Sequence, residues 1–139
     1  FKSYPSKMIL KLKHANFLAR TIKNNEFLLI GSNSKFINIE KFDNFNYLPI
    51  VFGKFTAEEF ILFKKNLSRS DLNYEKIEEI FFYPSGRIDL KTIDNLTIKF
   101  PRRNIEEAMN LASKIIKNEK FNNNIIDLRV PNQIILSNE

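Results

Sequence analysis

The chain has 139 residues, 43% of them hydrophobic, with a formal net charge of +6 and no cysteine. That length fits one domain, or one domain plus a piece of another, with enough apolar side chains for a real core. The absence of cysteine excludes disulfides, thiolate chemistry and cysteine metal sites, and no stretch reaches the roughly 18 consecutive apolar residues that a membrane span needs.

The charge is uneven. Residues 1–55 carry nine Lys and Arg against Glu26, Glu40 and Asp43, whereas residues 56–139 carry thirteen of each sign. A basic face of this kind suits phosphate or an anionic membrane surface, or is simply a solvated lysine-rich surface. The chain begins at Phe1 with no signal peptide and is read as a piece of a longer protein.

In chain order, Lys7 to Lys13 alternates as a strand, with Met8, Leu10 and Leu12 on one side. Residues 17–23 and 26–30 read as a hairpin turning at Asn24-Asn25, a residue type that tolerates turn conformations. A turn at Gly31-Ser32-Asn33 leads to a short strand at Lys35-Phe36-Ile37. Residues 38–54 look irregular: a long connection whose aromatics (Phe42, Phe45, Tyr47, Phe52) lie over the core, broken at Pro49 and Gly53.

Thr56 with Glu59 has capping-box spacing, and Phe60, Phe63 and Leu67 then recur on one helical face, with Ile61 beside them. This first helix is expected to end near Ser68–Ser70. Ile77 to Tyr83, Arg87 to Lys91 and Leu96 to Phe100 form a three-strand meander, with turns at Pro84-Ser85-Gly86 and Asp94-Asn95. Ile88, Leu90, Leu96, Ile98 and Phe100 face its core side. A second helix follows Pro101-Arg102-Arg103, with Asn104 as N-cap and Glu107 completing the spacing. Its buried face is Ile105, Ala108, Met109, Ala112 and Ile116, and Asn122-Asn123-Asn124 breaks it. The fold class is α+β: a mostly antiparallel sheet with two main helices packed on one face.

The chemistry of catalysis is sparse. His14 is the only histidine, so a Ser/His/Asp triad has a single possible base and nothing beside it to orient that base. Three glycines (Gly31, Gly53, Gly86) cannot make a Gly-rich phosphate loop. Glu58/Glu59, Glu78/Glu79 and Glu106/Glu107 are neighbours in sequence, and neighbours do not face each other on a helix or a strand. No catalytic, metal or cofactor site is expected, and no small-molecule substrate. Arg102-Arg103 before a helix N-terminus suits a phosphate, but no nucleic-acid module is recognisable.

The closing stretch organises the rest. Ile126, Leu128 and Val130 alternate with Asp127 and Arg129, which predicts a half-buried strand. Pro131 marks an edge or a break, and Gln133, Ile134, Ile135 and Leu136 continue extended and apolar with little chain left to cover them. Such a segment is paired within its own sheet or offers an edge to another chain.

Several stretches in this order resemble the extracytoplasmic part of the bacterial cell-division family FtsQ/DivIB. Tyr4-Pro5 before Met8-Ile9-Leu10-Lys11-Leu12 is similar to the end of the family's POTRA domain. Ala19-Arg20 with its hairpin, Leu48-Pro49-Ile50-Val51-Phe52-Gly53, Gly86-Arg87-Ile88-Asp89-Leu90 and, above all, Ile126-Asp127-Leu128-Arg129 are similar to its β domain. The family's Glu-Arg-x-Pro after the first strand is replaced here by His14-Ala15-Asn16-Phe17.

The resemblance implies residues 1–17 as the tail of a POTRA domain and 18–139 as the β domain. It also implies a non-enzymatic scaffold in the periplasm, anchored to the inner membrane by a single transmembrane helix outside this stretch of chain. Its partners would be FtsB-like and FtsL-like divisome proteins, one of which adds a strand at the last strand of the sheet. The residues expected to meet the partner are Arg129, Val130, Pro131, Asn132, Gln133, Ile134, Ile135 and Leu136. The alternative from charge alone is a basic module that binds nucleic acid or an anionic membrane.

Overall fold

The computed structural model describes residues 16–139; the strand expected over 7–13, His14 and most of the POTRA tail lie outside the described residues. The strands are β1 (Phe17–Lys23), β2 (Glu26–Gly31), β3 (Phe36–Ile39), β4 (Ile50–Gly53), β5 (Ile77–Phe82), β6 (Ile88–Thr92), β7 (Thr97–Phe100), β8 (Ile125–Asp127) and β9 (Ile135–Ser137). Two helices, α1 (Ala57–Arg69) and α2 (Ile105–Lys117), interrupt them. All nine strands form one sheet in the order β3-β2-β1-β4-β5-β6-β7-β8-β9.

The β1–β2 hairpin turns where expected, with Asn24 and Asn25 both at positive φ (52° and 63°). A two-residue type I′ turn requires that pair of dihedrals, and asparagine tolerates them. The β5–β6–β7 meander is also as expected, antiparallel throughout and carrying Ile88, Leu90, Ile98 and Phe100 into the core.

Residues 38–54 differ from expectation. Ile50–Gly53 is a central strand, parallel to both β1 and β5. Thr21 Oγ1 donates to the Val51 carbonyl at 2.7 Å and Arg20 N–H to the Pro49 carbonyl at 2.8 Å, fastening β4 in place. A four-residue strand bounded by proline and glycine has no visible period, which is why it reads as loop. The aromatics before it pack on the first hairpin and stay outside the main core: Phe42 lies 4.8 Å from Phe27, Phe45 lies 5.8 Å from Phe17, and Tyr47 is largely exposed.

Parallel neighbours need a crossover, and each helix is one: α1 joins β4 to β5 and α2 joins β7 to β8. Both crossovers step the same way along the sheet between strands that run in the same direction. Crossovers of one hand therefore place both helices on the same face.

The core lies between that face and the helices. Phe60, Phe63 and Leu67 of α1 and Ala108, Met109 and Ala112 of α2 pack onto Ile80, Phe82, Leu90, Ile98, Phe100 and Ile126. Phe63 makes edge contacts with Phe82 and Phe100 at 5.9 and 6.1 Å.

Helix α1 starts with the capping box read from sequence. Glu59 N–H donates to Thr56 Oγ1 at 3.1 Å, and Thr56 N–H donates to Glu59 Oε1 at 2.9 Å. It ends at Ser70. Helix α2 departs from expectation at both ends. Asn104 is left-handed (φ 57°, ψ 43°), outside the extended conformation of a capping residue, and makes no side-chain cap. The helix stops at Lys117, ahead of the Asn122–Asn124 run. Ile116 remains partly exposed, and Ser113 and Ile115 take up the packing at that end.

Candidate functional site

The C-terminal stretch is shorter as a strand than its alternation suggests. The β8 strand covers only Ile125–Asp127. It pairs parallel to β7, and Ile126 and Leu128 are core residues. Asp127 ends it, because its side chain turns back onto the chain. Arg129 N–H donates to Asp127 Oδ1 at 3.1 Å, and the Arg129 guanidinium adds Nε to Oδ1 at 2.9 Å and Nη2 to Oδ2 at 2.6 Å. These bonds hold the Asp127 carboxyl below its usual range, with help from nearby Lys99. Asp127 also holds the Arg129 guanidinium above its ordinary value.

The chain then reverses. Gln133 N–H donates to the Val130 carbonyl at 3.2 Å, with Pro131 and left-handed Asn132 (φ 62°) at the corners. That is the chemistry of a type II turn, proline first and a residue at positive φ second. It returns Ile135–Ser137 antiparallel along β8, pairing Asp127 with Ile135, Ile126 with Leu136 and Ile125 with Ser137. The end is clasped by asparagines: Asn138 Oδ1 accepts from Asn124 N–H at 3.1 Å, and Asn124 Oδ1 accepts from Glu139 N–H at 3.0 Å.

The hydrogen-bonding direction of the edge follows from this register. Leu128 N–H donates to the Lys99 carbonyl, so the main-chain groups of Ile126 and Leu128 face β7. Strand residues alternate sides, so Ile125 and Asp127 face β9 and exchange bonds with Ser137 and Ile135. Leu136 is left with its N–H and C=O pointing out of the sheet, at the last strand of the order. Ile134, Ile135 and Leu136 around it are 46%, 46% and 41% exposed. Leu136 shares the helix side of the sheet with its partner Ile126, and Ile135 shares the open side with Asp127.

The expected partner residues thus divide into two groups. Arg129 through Ile134 form one wall of a groove of about 630 Å³; Pro101 to Asn104 and the α2 residues Glu107, Ala108 and Leu111 form the other. Ile135 and Leu136 lie outside that groove and make the edge strand. The helix wall and the Asn124–Asn138 clasp are absent from the sequence reading. The run of asparagines signals a helix breaker there, and the clasp is visible only once the hairpin is closed.

The fold is an α+β domain that carries its helices on one face and ends its sheet on an exposed, largely apolar strand. A family model, the C-terminal domain of the cell-division protein FtsQ/DivIB, matches residues 19–129. The chain belongs to this family, and with it to cell division. The match runs from β1 to Arg129, so the turn and β9 lie beyond the matched residues. Among solved structures, the chain is similar to the major extracytoplasmic domain of the trans isomer of the bacterial cell-division protein DivIB from Geobacillus stearothermophilus. The identity is 12% over 68% of this chain and 85% of that one, with a TM-score of 0.47. Comparison with curated proteins found no match.

Proposed function

We propose that this chain is the β domain of a non-enzymatic divisome scaffold, and that it binds an FtsB-like or FtsL-like partner by accepting a strand at β9. The observation that carries the proposal is the outward main chain of Leu136 at the end of the sheet, flanked by exposed Ile134, Ile135 and Leu136. An edge strand is a template for another chain. Main-chain hydrogen bonds to it supply affinity, and alternate side chains supply selectivity. Side chains of an added strand would alternate between Leu136 with the groove on the helix side and Ile135 with the Asp127–Arg129 pair on the open side.

Residues 1–17 are proposed as the end of a POTRA domain, and the domain as extracytoplasmic, tethered to the inner membrane by a single transmembrane helix outside this stretch of chain. Among the described residues no helix is long and apolar enough to cross a membrane.

The test is calorimetric titration with a peptide from the membrane-distal end of the FtsB-like protein of the same organism. Binding to the native chain, its loss in Leu136→Lys and an unchanged unfolding transition in that variant support the proposal. Binding by Leu136→Lys and Ile135→Lys as tight as that of the native chain would place the partner elsewhere. Binding of duplex DNA that falls steeply with salt would favour the basic-module reading instead.

A further inference from the structure

Building on the reading of β9 as the partner's strand, we infer that residues 130–139 form a latch: in the free protein β9 docks on and leaves β8, and the partner captures the docked form.

The energetics of this arm differ from those of the rest of the sheet. Ordering backbone costs entropy at every residue, and apolar burial is the main force that offsets it. From Arg129 to Glu139 no residue is buried, and Ser137 and no other is even half-buried. None of these residues belongs to the core cluster, which ends at Leu128. What holds β9 is three residue pairs with β8, the Val130–Gln133 turn and the Asn124–Asn138 clasp. The clasp is exposed and so is the Arg129 side of its ion pair, and polar contacts open to solvent in this way contribute little. Asn132 also holds positive φ at the corner of the turn.

By contrast, β8 is anchored by fully buried Ile126 and by Leu128, and keeps its place through β7 whether or not β9 is docked. Segments with few buried contacts and edge hydrogen bonds open at far lower cost than the core. A partner strand would cover Leu136 and Ile134 and add a second row of hydrogen bonds, so it interacts with the docked arm alone. The apparent affinity is then the intrinsic affinity reduced by the docked fraction.

Two measurements on the full 139-residue chain test the latch. The first is amide hydrogen exchange of the native protein without partner. Ile135 and Ser137 donate toward β8 and are expected to be protected at least about 100-fold less than Ile126. Protection equal to that of Ile126 overturns the latch.

The second is a staple, Ile125→Cys with Ser137→Cys. This is a hydrogen-bonded pair, whose Cα separation of about 5.5 Å suits a disulfide, in a chain with no other cysteine. With the FtsB-like peptide as probe, the oxidised staple is expected to bind at least about twofold more tightly than the reduced form. Equal affinity of the two forms means the arm is already fully docked and overturns the latch while leaving strand addition intact. Binding abolished on oxidation and restored by dithiothreitol means that the partner displaces β9, which overturns both. Peptide that binds neither form removes β9 as the partner site, and the exchange measurement then decides the latch alone.

Discussion

Gly53 lies opposite Phe82 across the β4–β5 pair at φ +97°, so close that a Cβ on Gly53 would overlap the Phe82 carbonyl oxygen. That oxygen also accepts the Lys54 N–H at 3.2 Å. Glycine at this position therefore lets β4 leave the sheet and turn into α1.

Gly53→Ala combines a conformation that side chains rarely adopt with a clash against main chain that cannot swing aside. The expected cost is about 3 kcal/mol or more, read as a lower urea midpoint with an unchanged slope. A loss below about 1 kcal/mol would mean that β4 shifts easily, against its place in the centre of the sheet.

The two helix starts are expected to respond in opposite ways. Thr56→Ala removes a reciprocal cap and is expected to cost about 1 kcal/mol. Asn104 caps nothing and sits left-handed, so Asn104→Gly loses no hydrogen bond and relieves the positive φ. That change is expected to stabilise by about 0.5 kcal/mol. Thermal melts of the two variants side by side separate these outcomes.

Asp127 gives stability a pH dependence with a definite sign. Its carboxyl is held below the usual range in the folded state by Arg129. Stability from this pair is therefore complete above the unfolded value near 3.9 and is lost as pH falls through the lower folded value. Arg129 is 42% exposed against 12% for Asp127, so screening keeps the effect small. Arg129→Ala is expected to cost about 0.5 to 1 kcal/mol at pH 7 and close to nothing near pH 2. Urea titrations at both pH values provide the check, and an equal loss at both would assign the effect to packing of the arginine stem.

Leu136→Pro removes the outward N–H of the edge together with the leucine side chain, and leaves the β8–β9 hydrogen bonds in place. The Leu136 N–H points away from β8, and proline is tolerated at edge positions whose N–H faces solvent. The variant is expected to unfold within about 1 kcal/mol of the native chain while partner binding weakens at least about tenfold. Unchanged binding would show that the outward N–H is not used.

The sequence is informative wherever local pattern and fold agree. The Asn24-Asn25 hairpin, the β5–β7 meander, the Thr56–Glu59 box and the apolar face of α1 follow from periods and turn chemistry that act over a few residues. Ile126 and Leu128 read correctly as core for the same reason. The strand β4 is missed because it is short, lacks alternation and owes its place to partners on both sides, Thr21 and Phe82, that no local window contains. Asn104 is misread because asparagine serves equally as a cap and as a left-handed residue, and only the preceding chain path decides between them.

The candidate site divides the same way. Its apolar edge at Ile134–Leu136 is legible as uncovered hydrophobic sequence. The reversal at Val130–Gln133 is legible only as a break at Pro131. The opposite wall at Ala108 and Leu111 depends on how α2 crosses back over the sheet.

The most direct test of strand addition at β9 is backbone NMR of the isotope-labelled chain, titrated with the FtsB-like peptide. Shifts concentrated over Ile125–Leu136 and spreading into α2, with the Leu136 amide becoming protected from exchange, are the predicted result. A spectrum unperturbed at millimolar peptide, or shifts confined to β1–β3 at the other edge, would contradict it.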